Sequence, residues 1–454
     1  MRKVINKILK YSARFMAFIN YVWPFVVIYS RIIEEVRPKD GKVVQGKPII
    51  LALNPQRFLG DLEVLVESKE FRILKVPFDW QCKILALYWN DKVVFPKYYD
   101  PEGDVTIIKI QTKLRRFLNS FLSELYKSLK IDCVIGAAAN YRHDYDWGLV
   151  SSEIGVPYIV LHKENTVAGT NQRAGRIENI KKRKKFRGDH VVVHNATMKD
   201  IFIQSGYAKP DQISVLGCLR MDDYINKIKG LKRIKKQRKK VTLFSFPHIA
   251  GIAGSPYAKG VNDFSKNRDV GFVNLFEHVH VAFVQLALSN NDVDFIIKPK
   301  WGGRWRNEIE YVCKKNNIEL RHIDNLSILD EVNVHDLIFE SDVVCGYGST
   351  VLLEAAIAAK PVLVPYFDEV LNPEYSDFIL FKDYFHIFDI AHSIEEFRQL
   401  IINRLDNQQI SHECMKERYA VFEKYVSSMK CNARDQYIGL IQKVVKKSKI
   451  NRNC

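Results

Sequence analysis

Apolar and polar positions along the chain sort into short strands and helices that alternate from residue 47 onward. Residues 47–53, "KPIILAL", read as a strand, 60–68 as a short helix and 71–76, "FRILKV", as a second strand. Residues 104–130 carry apolar side chains at spacings of three and four, which predicts one long amphipathic helix. Four apolar runs follow, "IDCVIGA", "VPYIVL", "DHVVVHN" and "QISVLG", separated by helical stretches. One of these, "NATMKDIFIQSG", has an Asn in cap position and a Gly stop. After residue 240 the alternation resumes with "VTLFSFP", "VDFIIKP", "RNEIEYVCKKNN", "SDVVCGYGS", "TVLLEAAIAA" and "KPVLVPY". From 411 to about 449 the pattern is helical again. Strands alternating with helices predict parallel sheets covered on both faces.

At 454 residues the chain exceeds one ordinary core. The composition shift falls at 227–240, "KIKGLKRIKKQRKK", with nine basic residues in fourteen. It divides an N-terminal Rossmann-like domain at 38–226 from a C-terminal one at 241–410, followed by a helical segment at 411–454. Two doubly wound domains facing a cleft are the expectation, because ligands bind such sheets at the C-terminal ends of their strands.

The most informative stretch is "SDVVCGYGSTVLLEAA", read as strand, tight turn and helix. Gly346 and Gly348 allow a sharp turn and a close backbone approach to a ligand. Ser349 and Thr350 open the helix, where N–H groups lack internal partners and favour an anion. Glu354 follows about one turn later, placed to accept hydrogen bonds from ribose hydroxyls. Together they suit a nucleoside diphosphate; a capped helix with a tight entry turn is the plainer reading.

The formal net charge of +17 favours polyanionic surroundings: nucleic acid, an anionic membrane face or phosphorylated substrates. No RNA- or DNA-binding motif accompanies the basic runs at 181–187 and 227–240, so nucleic acid is not expected as a partner. Eight scattered cysteines, none at CxxC spacing, indicate a reducing compartment and no zinc site. Residues 15–30, "FMAFINYVWPFVVIYS", are apolar and aromatic, bounded by Arg14 and Arg31, but short for a span of about 20 residues. Residues 1–37 hold seven basic and two acidic side chains, which fits an interfacial anchor at the cytoplasmic face of an anionic membrane, or a helix packed on its own domain.

The stretch "ESDVVCGYGSTVLLEAAIAAKPVLVP" resembles the donor-site segment of GT-B glycosyltransferases of bacterial capsule and surface-polysaccharide biosynthesis. "GVPYIVLHKEN", "VVVHNATMKDIFIQSG" and "ISVLGCLRMDD" occur in the order of the surface-carbohydrate and CDP-glycerol transferase-like groups. The resemblance implies a metal-independent transferase, without cofactor, acting on a nucleotide-sugar donor and a glycan or lipid-linked glycan acceptor. It implies ribose at Glu354, phosphate at Gly346, Gly348, Ser349 and Thr350, and donor phosphate contacts from His248, with Gly251 and Gly254 in the same loop. Lys298, Lys300 or Arg304 would neutralise diphosphate, and Arg220 and Asp222, in the turn closing the first domain, would face the cleft, with Arg220 as a further nucleotide-binding residue. One large subgroup carries a second Glu eight positions before the ribose Glu; here that position is Gly346.

The acceptor hydroxyl needs a general base. Glu164 and His162, at a strand end, fit that role, and Asp61 after the first strand is a further candidate. Asp144 and Asp146, and likewise Asp292 and Asp294, form DxD pairs, which outside the other glycosyltransferase class are not read as metal ligands. Other readings are a CDP-glycerol or CDP-ribitol polyol-phosphate transferase, a sugar-nucleotide epimerase of the same fold, and a non-catalytic membrane-binding protein.

Overall fold

The structure is a computed structural model described over residues 11–89, 103–139, 141–182, 185–230, 238–252, 270–300 and 303–453. Residues 1–10, Gly254, the middle of both basic runs, the Arg304 side chain and Cys454 lie outside the described residues. The chain runs through α1 (Tyr11–Phe18), α2 (Trp23–Ile32), β1 (Glu34–Val36), β2 (Ile49–Ala52), α3 (Leu59–Glu67), β3 (Arg72–Lys75), α4 (Phe78–Tyr88) and α5 (Val105–Leu129). Then come β4 (Ile131–Gly136), α6 (Arg142–Glu153), β5 (Tyr158–Leu161), α7 (Thr170–Lys181), β6 (His190–Val193), α8 (Ala196–Gln204), β7 (Ile213–Val215) and α9 (Met221–Gly230). The second half holds β8 (Lys239–Phe244), α10 (Val273–Ser289), β9 (Val293–Lys298), α11 (Gly303–Lys315), β10 (Leu326–Ile328), α12 (Val334–Glu340), β11 (Val343–Gly346), α13 (Val351–Ile357) and β12 (Val362–Pro365). It closes with β13 (Asp389–Ala391), α14 (Ile394–Asp406), α15 (His412–Tyr425) and α16 (Ala433–Asn453).

Two compact units result. The chain leaves the first after Asn165, returns at Ile177, leaves again after Asp223 and returns at Lys430. The segment Thr166–Arg176 and the stretch Tyr224–Met429 make the second unit.

The first unit is built on a seven-stranded sheet of order β1-β3-β2-β4-β5-β6-β7. Only its edge strand β1 runs antiparallel, pairing Glu35 with Leu74. All four residues of β2 and of β5 are buried, as expected for parallel strands covered on both faces. Helix α5 starts at Asp104, whose carboxylate accepts from the Thr106 and Ile107 N–H groups, and ends where Lys130 turns left-handed. Its stripe of Leu114, Phe117, Leu118, Phe121, Leu122 and Leu125 is buried. Each such side chain contributes about 1.5–3 kcal/mol by leaving water. Residues of α16 finish this core: Tyr437, Ile441 and Val445 pack with Leu62, Ile73 and Ile135. The helical C-terminal stretch is thus two helices, and Cys431, at a φ of 57°, lies in the break between them.

The N-terminal segment is part of the first unit. Phe25 and Tyr29 of α2 meet Phe117 and Phe121 of α5 edge-to-face, at 5.1 Å in each case. The Tyr29 hydroxyl donates to the Trp80 carbonyl at 2.7 Å.

The second unit carries a six-stranded, all-parallel sheet of order β10-β9-β8-β11-β12-β13. Phe283 of α10 packs edge-to-face on Phe295 of β9 at 5.3 Å. Arg418 of α15 is 1% exposed and donates to the Ile387, Ala356 and Lys360 carbonyls, which fastens α15 across the end of α13.

Candidate functional site

In the second unit β8 sits between β9 and β11, so the strand order reverses at β8. Loops at such a reversal diverge and leave a crevice at the C-terminal edge. Register brings the predicted residues to that edge: Gly346 pairs with Phe244, and Phe244 with Lys298. The loop after β8 carries His248, the loop after β9 carries Lys300, and the turn after β11 carries Gly348, Ser349 and Thr350.

The turn needs its glycines. Gly348 has a φ of 61°, and a Cβ there would meet the Ala250 Cβ at 3.0 Å. At Gly346 a Cβ would meet the Phe244 carbonyl oxygen and Leu352, both at 3.1 Å. A larger residue there would press on β8 and on Leu352 by a few tenths of an ångström.

Glu354 is 3% exposed. Its Oε2 pairs with His335 Nε2 at 3.2 Å, and Thr350 Oγ1 lies 3.5 Å from Oε1, at the limit of a hydrogen bond. The His335 ring stacks on Tyr224 at 4.1 Å, and the Tyr224 hydroxyl donates to the Glu354 carbonyl at 2.7 Å. Burial, and then Glu354, raise the Tyr224 phenol well above its ordinary value, so it stays a neutral donor. The carboxylate is therefore positioned before any ligand arrives. The sequence reading missed His335 and Tyr224, because they lie on α12 and α9, far from the turn in sequence.

Helix α13 is shorter than its apolar run predicts, seven residues from Val351 to Ile357. A helix of about two turns carries little macrodipole, so an anion there would depend on the Ser349 and Thr350 hydroxyls and the turn's own N–H groups. The Lys298 ammonium faces away from this role: it donates to the Pro299 and Asp330 carbonyls at 2.8 and 3.0 Å, and burial pulls it below its ordinary value. Lys300 is exposed. His248 is buried, its ring 6.0 Å from Trp305, on the wall of a cavity of about 500 Å³. That cavity is also lined by Glu308, Glu369 and the Glu277–Lys315 ion pair, at 2.7 Å.

In the first unit the reversal lies at β2, between β3 and β4. At this edge Arg57 holds its guanidinium 5.4 Å over the Tyr141 ring, and the Tyr141 hydroxyl donates to Glu164 Oε1 at 3.2 Å. Glu164 and Arg57 are exposed and Tyr141 half-buried, so these three form an accessible polar group at the crevice. Arg57 and Tyr141 carried no sequence signal.

The other two base candidates are in different surroundings. Asp61 is fully buried and ion-paired to Lys163, and it also accepts from the Arg220 N–H at 3.3 Å. Both Asp61 oxygens are engaged by the protein, so Asp61 reads as the clamp joining the start of α3 to the loops after β5 and β7. His162 is 3% exposed; its Nδ1 accepts from the Ala139 N–H at 3.2 Å and its Nε2 lies 3.1 Å from the Glu164 carbonyl. That ring holds the loop that presents Glu164. Asp222 accepts from the Arg434 N–H at 2.8 Å, tying α9 to α16 within the unit. The DxD pairs part company: Asp144 bonds Gln81 and Asp146 pairs with Arg115, while Asp294 pairs with Arg238.

The chain matches no family model and no curated protein. Among solved structures it resembles the wall teichoic acid polymerase TagF, at 13% identity over 98% of both chains with a TM-score of 0.50. That likeness is one of fold. The chain has the GT-B fold. Weaker likenesses are to the UDP-GlcNAc 2-epimerase of Neisseria meningitidis bound to UDP-GlcNAc, at 12% identity over 87% of this chain and 100% of that one, TM-score 0.47. A kitacinnamycin glycotransferase matches at 12% identity over 90% of this chain and 100% of the other, TM-score 0.44.

Proposed function

We propose that the protein is a glycosyltransferase of surface-polysaccharide assembly, moving a sugar from a nucleotide-activated donor to a glycan or lipid-linked glycan. The observation that carries this reading is the turn Gly346–Thr350 set at the strand-order reversal, with the Glu354 carboxylate fixed beneath it by His335. The donor's diphosphate would lie along the turn and its ribose against Glu354. In transfer, the acceptor oxygen bonds the anomeric carbon, the bond from that carbon to the nucleoside diphosphate breaks, and Glu164 takes the acceptor's proton. The neutral Tyr141 hydroxyl, raised by burial and by Glu164, would orient that carboxylate. Charge leaving on the phosphate would be met by the turn's N–H and hydroxyl groups, without metal or cofactor.

A polyol-phosphate transferase is the second reading. It is favoured by Gly346, which stands where one transferase subgroup carries an acidic side chain. Its product would gain a phosphodiester instead of a sugar.

Thermal-shift screening with UDP, CMP, CDP and GDP compounds tests the site. At least one nucleotide should raise the melting temperature of the wild type and do so less for Glu354→Gln. The phosphorus content of the product made from the stabilising donor then separates the two reactions. If no nucleotide stabilises the protein, the donor site is wrong.

A further inference from the structure

The segment Tyr11–Ile32 has two faces with opposite surroundings. Its inner face belongs to the core: Ala17, Phe25, Val26 and Tyr29 are buried. Hydrogen bonds fix it there besides packing, among them one from Arg14 Nη2 to the Ala86 carbonyl at 3.4 Å. Asn20 Nδ2 donates to Ser120 Oγ at 2.7 Å, the Tyr88 hydroxyl to the Ala17 carbonyl at 2.8 Å, and the Tyr29 hydroxyl to the Trp80 carbonyl. The outer face is apolar and uncovered. Phe18 is 74% exposed and Trp23 60%, with Tyr11, Phe15, Ile19 and Tyr21 also exposed. Single exposed apolar side chains are ordinary, but six within thirteen residues form a patch that calls for a partner.

We propose that this outer face docks onto an anionic lipid bilayer, lying in the headgroup region without crossing it. Two features choose lipid over a protein groove. The first is charge. Arg14, Arg31 and Arg37 flank the patch, and Arg2, Lys3, Lys7 and Lys10 precede it in sequence. The only two acids of residues 1–37 are neutralised within the fold, Glu34 by Lys75 at 3.0 Å and Glu35 by Arg72 at 2.8 Å. Aromatic rings beside cations match an interface of negative headgroups over acyl chains. The second is shape. No single described helix is long and apolar enough to cross a membrane, and α1 and α2 meet at a bend of 120°. Helices of eight and ten residues reach about 12–15 Å each, against a hydrocarbon core of about 30 Å. A bent pair already clamped to α5 presents its rings in a fixed arrangement, so docking costs little ordering. The inference is independent of the donor site, which lies in the other unit.

The test is co-sedimentation of the full chain with neutral phosphatidylcholine vesicles and with vesicles holding a quarter phosphatidylglycerol. The wild type should bind the anionic vesicles at least ten-fold more tightly, and 1 M salt should weaken that binding. The variant F15S/F18S/W23S should lose at least ten-fold on anionic vesicles at unchanged melting temperature and nucleotide response. F18S and W23S singly serve the same comparison if the triple variant melts early, each with a smaller loss. Wild-type protein that stays in solution with both vesicle types overturns the proposal, as does a folded variant that binds like the wild type. An oligomer that dissociates with these substitutions, while vesicle binding does not change, assigns the face to a second copy of the chain and overturns it too.

Discussion

At Glu354 a charged acceptor is buried, held by His335 and presented under a glycine turn. Glu354→Gln keeps the shape and removes the charge, so nucleotide affinity should fall by about 1–3 kcal/mol, the usual worth of a charged hydrogen bond. Calorimetry checks this, and unchanged affinity in folded protein would remove the ribose role. Glu164, exposed and bonded to Tyr141, should behave differently. Glu164→Ala should lower turnover at saturating acceptor while leaving donor affinity nearly intact, because its partner is the acceptor. Wild-type turnover in that variant would pass the base role to another group. Asp144 gives a third prediction. Burial pushes its carboxyl up from 3.8 to about 7, against hydrogen bonds from Gln81 and the Ala137 backbone and the charge of Arg57. The unfolded chain releases that proton near its ordinary value. The stability tied to this group is thus complete below about pH 4 and is lost as pH rises through about 7. Asp144→Asn does not titrate, so its urea midpoint should gain on the wild type between pH 5 and 8; a constant difference would refute the shift.

Elements show what local pattern encodes and what it does not. Helix α5 is legible because its buried stripe repeats at three and four residues between an Asp cap and a left-handed Lys130. The turn at Gly346–Thr350 is legible because glycines and hydroxyls interrupt an apolar run. The partners of that turn were not legible: His335 lies nineteen residues before Glu354, and Lys163 lies 102 residues from Asp61. Such pairings depend on which strands become neighbours, and period and propensity carry no record of that. The same holds for the C-terminal helices, one pattern in sequence but members of different units. Ending the chain after Met429 removes Tyr437, Ile441 and Val445 from the first unit's core. At about 1.5–3 kcal/mol for each buried side chain, the loss is comparable with the 5–15 kcal/mol that holds a whole domain. Limited proteolysis of that truncation should degrade residues before Asn165 and spare Tyr224–Met429. Survival of both would mean α16 is an accessory.

Across the whole molecule, the formal charge of +17 is carried by a chain whose two sheets are each nearly or wholly parallel. Parallel sheets with crossover helices form slowly, because distant strands must meet before contacts repay the closure. The discontinuity of the first unit adds a matter of timing. A ribosome delivers β1 to β7 first, yet the side chains that seal their core arrive only with the final helix. The first unit's strands are therefore made before the second unit and sealed after it. The second unit, continuous from Tyr224 to Met429 apart from a segment already made, can complete itself meanwhile. Nascent chains stalled with Met429 just outside the exit tunnel should show protease resistance in Tyr224–Met429 and sensitivity in the residues before Asn165, with both resistant only after release. Until that last helix emerges, the growing chain would hold out an open apolar sheet to whatever folding helper or membrane surface is nearest.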